Sequence, residues 1–129
     1  KIAPEHLADD VTRIMNKPPG KVYFDFLEKF RLFSRKAKKE QYIVPYFISG
    51  HPGCTDEMMA DLQEQLKASG HKLQQAADFY PTPMTLATAM YHTGHHPLTG
   101  EKLFVPKTEK EKHRQFRMMM WHKGEDHRS

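Results

Sequence analysis

Three short clusters of polar residues each follow an apolar or strand-like run: Glu5-His6, Ser49-Gly50-His51 and Tyr80-Pro81-Thr82. A carboxylate accepts hydrogen bonds from hydroxyls, an imidazole donates or accepts, and phenols and alcohols do both. Residues of these types at the carboxyl ends of strands share the rim where open α/β sheets and α/β barrels hold their ligands. The richest cluster lies in Gln41 to Glu57, QYIVPYFISGHPGCTDE, where an apolar run stops at a Ser-Gly-His-Pro-Gly elbow. Gly50 and Gly53 permit backbone turns and close ligand approach that a Cβ would forbid. His51 has two readings, a loop histidine bonded to backbone or a ligand contact, and both stand at this level.

Two other chemistries fail on spacing. Gly50-His51-Pro52-Gly53-Cys54 is not the Gly-x-Ser-x-Gly elbow of a hydrolase. Cys54 opens a helix, a position that lowers a thiol pKa, but no partner base is assignable, so it reads as an inert small residue. His92, His95 and His96 with Cys54 or His51 have neither Cys-x-x-Cys nor His-Glu-x-x-His spacing. They read as polar loop residues, and no metal site is expected.

The elements that position these clusters follow from periodicity. Lys1 to His6 reads as the tail of a strand entering a loop. Leu7, Val11, Ile14 and Met15 are spaced for a helix that Lys17-Pro18-Pro19-Gly20 must end. From about Lys21 to Lys39, Tyr23, Phe26, Leu27, Phe30, Phe33 and Ala37 form one helical stripe, expected to be buried. Tyr42–Ser49 reads as a strand buried on both faces, the habit of a parallel sheet covered by helices. A helix over about Thr55 to Ser69, with Met58, Met59, Leu62 and Leu66 inward, ends at Gly70. Leu73 to Tyr80 reads as a third strand. Thr82 as N-cap and Pro83 at the first position then predict a helix through Tyr91. After a Gly/His/Pro loop, Thr108-Glu109-Lys110-Glu111 is a capping-box pattern opening a last helix to about Trp121. Phe116, Met119 and Met120 seat that helix, and Lys123 to Ser129 reads as disordered.

Strands alternating with helices mean parallel pairing and right-handed crossovers. The expected fold class is α/β: a partial (β/α) barrel of about three parallel strands. Its open edges suggest an arc of something larger. The expected division is residues 1–91 as barrel half and 92–129 as the start of an extension. The chain begins without an initiator methionine, as if within a strand, and reads as a piece of a longer protein.

Composition narrows the class. The 129 residues, 38% hydrophobic and 28% charged, have globular proportions. No long apolar run suggests a membrane span, and a single cysteine fits a reducing compartment, so a cytoplasmic protein is expected. The net charge of +4 is modest. Much of the positive charge lies in Arg31–Lys39 and Lys107–Arg117, which read as solvated helix faces, so a nucleic-acid partner is not expected.

Residues 1–6 (KIAPEH), 41–53 (QYIVPYFISGHPG) and 79–84 (FYPTPM), with Tyr91-His92-Thr93-Gly94 and Phe104-Val105-Pro106-Lys107, closely resemble the YgiQ-like family of radical SAM proteins. Order and spacing match over about residues 1 to 107. The resemblance implies a radical S-adenosylmethionine barrel of which this chain supplies strands four, five and six. Ile48 to Glu57 is similar to the superfamily's fifth-strand motif, and that strand end, Ser49-Gly50-His51, with the sixth, Tyr80, implies the adenine side of the cofactor pocket. By the same resemblance Glu5 meets the ribose, and Lys17, twelve positions later, meets the methionyl carboxylate. The family's Cys-x-x-x-Cys-x-x-Cys cluster motif is absent, and one cysteine cannot hold a [4Fe–4S] cluster. The resemblance thus implies S-adenosylmethionine and the cluster as cofactors of a parent protein, with neither held by this chain alone and the rest of the barrel as its partner. The alternatives are a non-enzymatic module binding RNA or an acidic partner, and a degenerate barrel serving as scaffold.

Overall fold

The computed structural model describes residues 1–124. Three parallel strands, β1 (Ile2–Glu5), β2 (Pro45–Ser49) and β3 (Ala76–Asp78), form one sheet in the order β1-β2-β3. Helices α1 (Asp9–Ile14) and α2 (Gly20–Lys36) join the first pair, and α3 (Asp56–Ala68) joins the second. Helices α4 (Leu86–Thr93) and α5 (Glu109–Met119) follow, then a 3-10 turn, Trp121–Gly124. The α/β class and the parallel sheet expected from the alternating pattern are what the chain forms.

Local chemistry explains each boundary. Thr55 caps α3, its hydroxyl accepting from the Met58 amide at 3.2 Å, while Asp56 and Glu57 face the positive end of the helix dipole. Gly70 at φ 72° ends it. At α5 the capping box is complete, with Thr108 and Glu111 each bonding the other's backbone amide. Helix α1 ends at Ile14, and Asn16, left-handed at φ 58°, turns the chain away before Pro18-Pro19. Along β2 burial alternates, with Pro45, Phe47 and Ser49 on the covered face and Tyr46 and Ile48 half-buried on the other. Phe47 sits in a core with Tyr23 and Leu27 of α2, Met59, Leu62 and Leu66 of α3, and Met119 at the end of α5.

Several expectations are corrected. The strand predicted over Tyr42–Ser49 begins at Pro45, because Tyr42 is 76% exposed and unpaired with the sheet. The third strand shrinks to Ala76–Asp78, with Leu73 turned into the core and Tyr80 exposed. Thr82 is not an N-cap: Thr85 caps α4 instead, and the Thr82 carbonyl accepts from the Thr85 and Thr88 hydroxyls. The α2 stripe is buried only in part. Tyr23 and Leu27 are core, whereas Phe26 and Phe33 are 44% and 61% exposed and Ala37 lies past the helix end. Periodicity records which face is apolar; whether anything covers that face depends on other elements. In the expected disordered tail, Lys123 and Gly124 close the 3-10 turn, and 125–129 lie outside the described residues.

Candidate functional site

At the carboxyl ends of the strands a cavity of about 320 Å³ opens. Glu5 from β1, His51 beyond β2, and Asp78 and Tyr80 at and beyond β3 line it, with Asn16 after α1 and Ile48 of β2. The β1–β2 register passes from Ile2 beside Pro45 to Glu5 beside Phe47, so an extra residue is taken up before Glu5. Glu5 then sits at φ 65°, left-handed for a residue with a Cβ. Two non-glycine residues of this rare geometry, Glu5 and Asn16, border the same cavity, and such conformations gather at binding sites.

The expected site residues divide. Glu5, His51 and Tyr80 share the cavity, with Tyr80 79% exposed at its mouth. Lys17 stands outside it but reaches in, its ammonium 3.3 Å from Glu5 Oε1. The two groups expected to hold opposite ends of a cofactor are therefore paired with each other here. Ser49 is fully buried behind the cavity, its hydroxyl donating to Asp78 Oδ1 at 3.1 Å. Gly50, at φ 72°, passes so close that a Cβ would lie 2.9 Å from that same carboxylate oxygen. The left-handed conformation favours glycine here, and a Cβ would also push the Asp78 carboxylate away from Ser49.

His51 makes a backbone bond and also lines the cavity. Its Nδ1–H donates to the Pro52 carbonyl at 2.9 Å, and the ring stands edge-on to Phe79 with centroids 5.1 Å apart. Nε2 is then the acceptor nitrogen. Burial lowers its pKa, with the Pro52 bond and the Glu5 charge opposing, so a neutral acceptor faces the cavity lining at pH 7.

Behind the rim lies a pair that the sequence did not disclose. Cys54 Sγ is 3.4 Å from His6 Nε2, and both residues are buried. His6 Nδ1 accepts from the Leu7 and Ala8 amides, each at 3.0 Å, so the proton of the neutral ring is on Nε2 and points at the sulfur. Burial, then the nearby His51, takes the His6 pKa down to about 4. The Cys54 pKa is not lowered as its helix-start position suggested: burial, then the Asp56 charge, pushes it up to about 12. Desolvation of a thiolate outweighs the helix end. The pair is thus neutral, a staple joining the loop after β1 to the elbow after β2. We expect iodoacetamide at pH 8 to alkylate Cys54 in the native protein at least about a thousandfold more slowly than in urea, in proportion to the suppressed thiolate. Equal rates would contradict the assignment.

The elbow is held from above by α5. Gln115, fully buried, accepts from the Gly50 amide at 3.2 Å and donates to the Cys54 carbonyl at 2.9 Å and Asp56 Oδ1 at 3.1 Å. No local pattern marks Gln115, since its partners lie some sixty positions away. Asn16 carried a weak signal, as a left-handed-tolerant residue ahead of Lys17-Pro18. Among the described residues no group of three or more His, Cys, Asp or Glu converges as metal ligands. His95 and His96 instead organise their own turn, His95 Nδ1 bonding the Thr93 carbonyl and His96 Nδ1 accepting from Leu98 and Thr99 amides. Nor is any helix among the described residues long and apolar enough to cross a membrane.

Comparison with known proteins places the chain among relatives. A domain of unknown function (DUF3362) matches residues 74–128. A UPF0313 protein of Geobacter sulfurreducens is 50% identical over 123 residues, which cover 95% of this chain and 20% of that protein. UPF0313 proteins of Methanosarcina acetivorans and Porphyromonas gingivalis are 51% and 44% identical, over 92% and 98% of the chain and 16% and 20% of their own lengths. The chain spans about a fifth of the length of the curated relatives it matches. No solved structure matches it.

Proposed function

We propose, from the premise that the homologues of this chain are UPF0313 proteins, the YgiQ-like family, that it forms one side of an S-adenosylmethionine cradle in a radical SAM barrel. The observation that carries this reading is the rim cavity itself. Glu5, His51 and Tyr80 come from the ends of three adjacent parallel strands and meet in one space of small-ligand size, with a basic side chain reaching its edge.

The residues suit the cofactor's polar groups. A carboxylate at Glu5 accepts from both ribose hydroxyls, and the Lys17 ammonium pairs with the methionyl carboxylate. Their mutual ion pair is half-buried and solvent-accessible, so exchanging it for ligand contacts costs little. The neutral His51 ring, carried by the Gly50 turn, borders the adenine side, and Tyr80 at the mouth offers a flat aromatic wall. The iron–sulfur cluster does not fit this chain, because its one thiol is buried and held by His6. Cluster ligation therefore falls to the rest of the parent chain. When bound there, the cofactor supplies radical chemistry by reductive cleavage; this chain's residues bind and orient it.

Two features support a larger barrel. Both outer strands leave a sheet edge, and beside β1 an apolar hollow of about 250 Å³ opens between Pro4, Pro18, Val22 and Phe26. Val22 and Phe26 are 50% and 44% exposed, as expected of surface that the remaining barrel covers. The test is S-adenosylmethionine affinity of the full-length protein by calorimetry. Glu5→Ala and Lys17→Ala should each weaken binding by roughly ten- to a hundredfold, the range of a lost charge-assisted hydrogen bond, with Lys17→Arg retaining it. Unchanged affinity in both alanine variants would sink these assignments. Release of 5′-deoxyadenosine by the anaerobically reconstituted protein with dithionite tests the reaction separately.

A further inference from the structure

The basic stretch Lys107–Arg117 reads, from sequence, as a solvated helix face. The fold gives it a different geometry. Lys110, His113, Arg114 and Arg117 recur at helical spacing on α5 and border one cleft of about 510 Å³ against α3, which contributes Gln63. Met118 and Trp121 close its far end. No carboxylate lines it among the described residues. Arg114 is braced by Asp56 from the α3 side. Lys67, also on α3, lies with its ammonium 5.8 Å from the Trp121 ring centroid, and Glu64 pairs with it at 3.5 Å. Lys110 stands in the first turn of α5, where the helix dipole disfavours a cation, so macrodipole matching does not explain it.

We propose that this cleft binds the phosphate backbone of a short single-stranded RNA, with a base against Trp121. Three arguments select that occupant. The cations recognise an anion: Asp56 pairs with Arg114 and Glu64 with Lys67, but Lys110 and Arg117 have no carboxylate partner among the described residues. They are strung out, not convergent: from Lys110 to Arg117 the helix rises about 10 Å, which suits successive phosphates better than one. An aromatic ring at the end of a basic groove is the arrangement by which single strands are held without sequence preference. An acidic peptide would use the charges but gain less from the indole. The cleft lies on the α3–α5 side and the cofactor cavity at the strand ends, with no lining residue in common, so the inference does not depend on the cofactor reading.

The experiment is fluorescence anisotropy of a labelled penta-uridylate with the full-length protein. Lys110→Glu with Arg117→Glu should weaken binding at least tenfold. Arg31→Glu with Arg35→Glu, the same charge change on α2, should alter it less than twofold. Affinity should fall with salt at a logarithmic slope of about −2, for about three phosphates neutralised on a single strand. Trp121→Ala should cost about fivefold or more through lost stacking. Equal losses in the two charge-reversed proteins, a slope near zero, or undetectable binding at low salt would overturn the proposal. So would displacement by uridine monophosphate or polyglutamate as effective as by unlabelled strand. Thermal unfolding of each variant confirms that the surface substitutions leave the fold intact.

Discussion

Gln115→Leu should lower the unfolding free energy by about 3 kcal/mol, although the substitution keeps the side chain's bulk and adds apolar character. The amide spans two buried backbone groups, the Gly50 N–H and the Cys54 carbonyl, and among the described residues no other side chain reaches either. Stranding a buried donor or acceptor costs about 1–3 kcal/mol, and here both are stranded together. Packing does not compensate, because a leucine of similar volume fills the space without answering either group. Arg114→Ala, whose contribution to stability is a partly exposed pair with Asp56, should cost under about 1 kcal/mol. Urea denaturation of the two variants provides the comparison. A Gln115→Leu protein as stable as the parent would show that the elbow does not depend on α5.

Acid should destabilise the protein through His6, and the size follows from its pKa. An unfolded histidine takes a proton near pH 6.5, whereas the buried ring resists until about 4. Between those values the unfolded state binds more protons, so stability falls as pH falls. The full contribution is present above pH 6.5 and is lost progressively down to pH 4, about 3 kcal/mol in all. The structural cause is specific: a proton on Nδ1 would break the bonds from the Leu7 and Ala8 amides. His51 and His71 are also lowered, mainly by burial, and act in the same direction. The diagnostic is therefore the difference between parent and His6→Gln. The variant should be less stable at pH 7.5 yet lose about 3 kcal/mol less on acidification to pH 4. Parallel stability curves would remove His6 from this role.

The rim cavity and the core divide in how much of each the sequence carried. Met59, Leu62 and Leu66 recur at helical spacing and are buried where periodicity puts them, because one helix facing one sheet needs only local rules. The strand-end location of Glu5, His51 and Tyr80 was likewise legible, since parallel strands joined by helices bring their carboxyl ends to one rim. The left-handed Glu5 was not, because it arises from an irregular register against β2 that neither strand encodes alone.

The sequence by itself determined the alternation of strands and helices, their caps at Thr55 and Thr108, and the glycine at the elbow. Each is set by the chemistry of a few neighbouring residues. Tertiary structure alone decided which polar groups meet. The thiol of Cys54 is inert, against the pull of its helix end, because the sheet and helices exclude water from it and the Asp56 charge stands nearby. Glu5 pairs with Lys17, Gln115 grips the elbow, and the α5 cations border a cleft against α3, with Asp56 pairing one of them, because these partners are distant in sequence. Periodicity assigns a face to each side chain; only the packed chain assigns it a neighbour, and electrostatics depends on the neighbour.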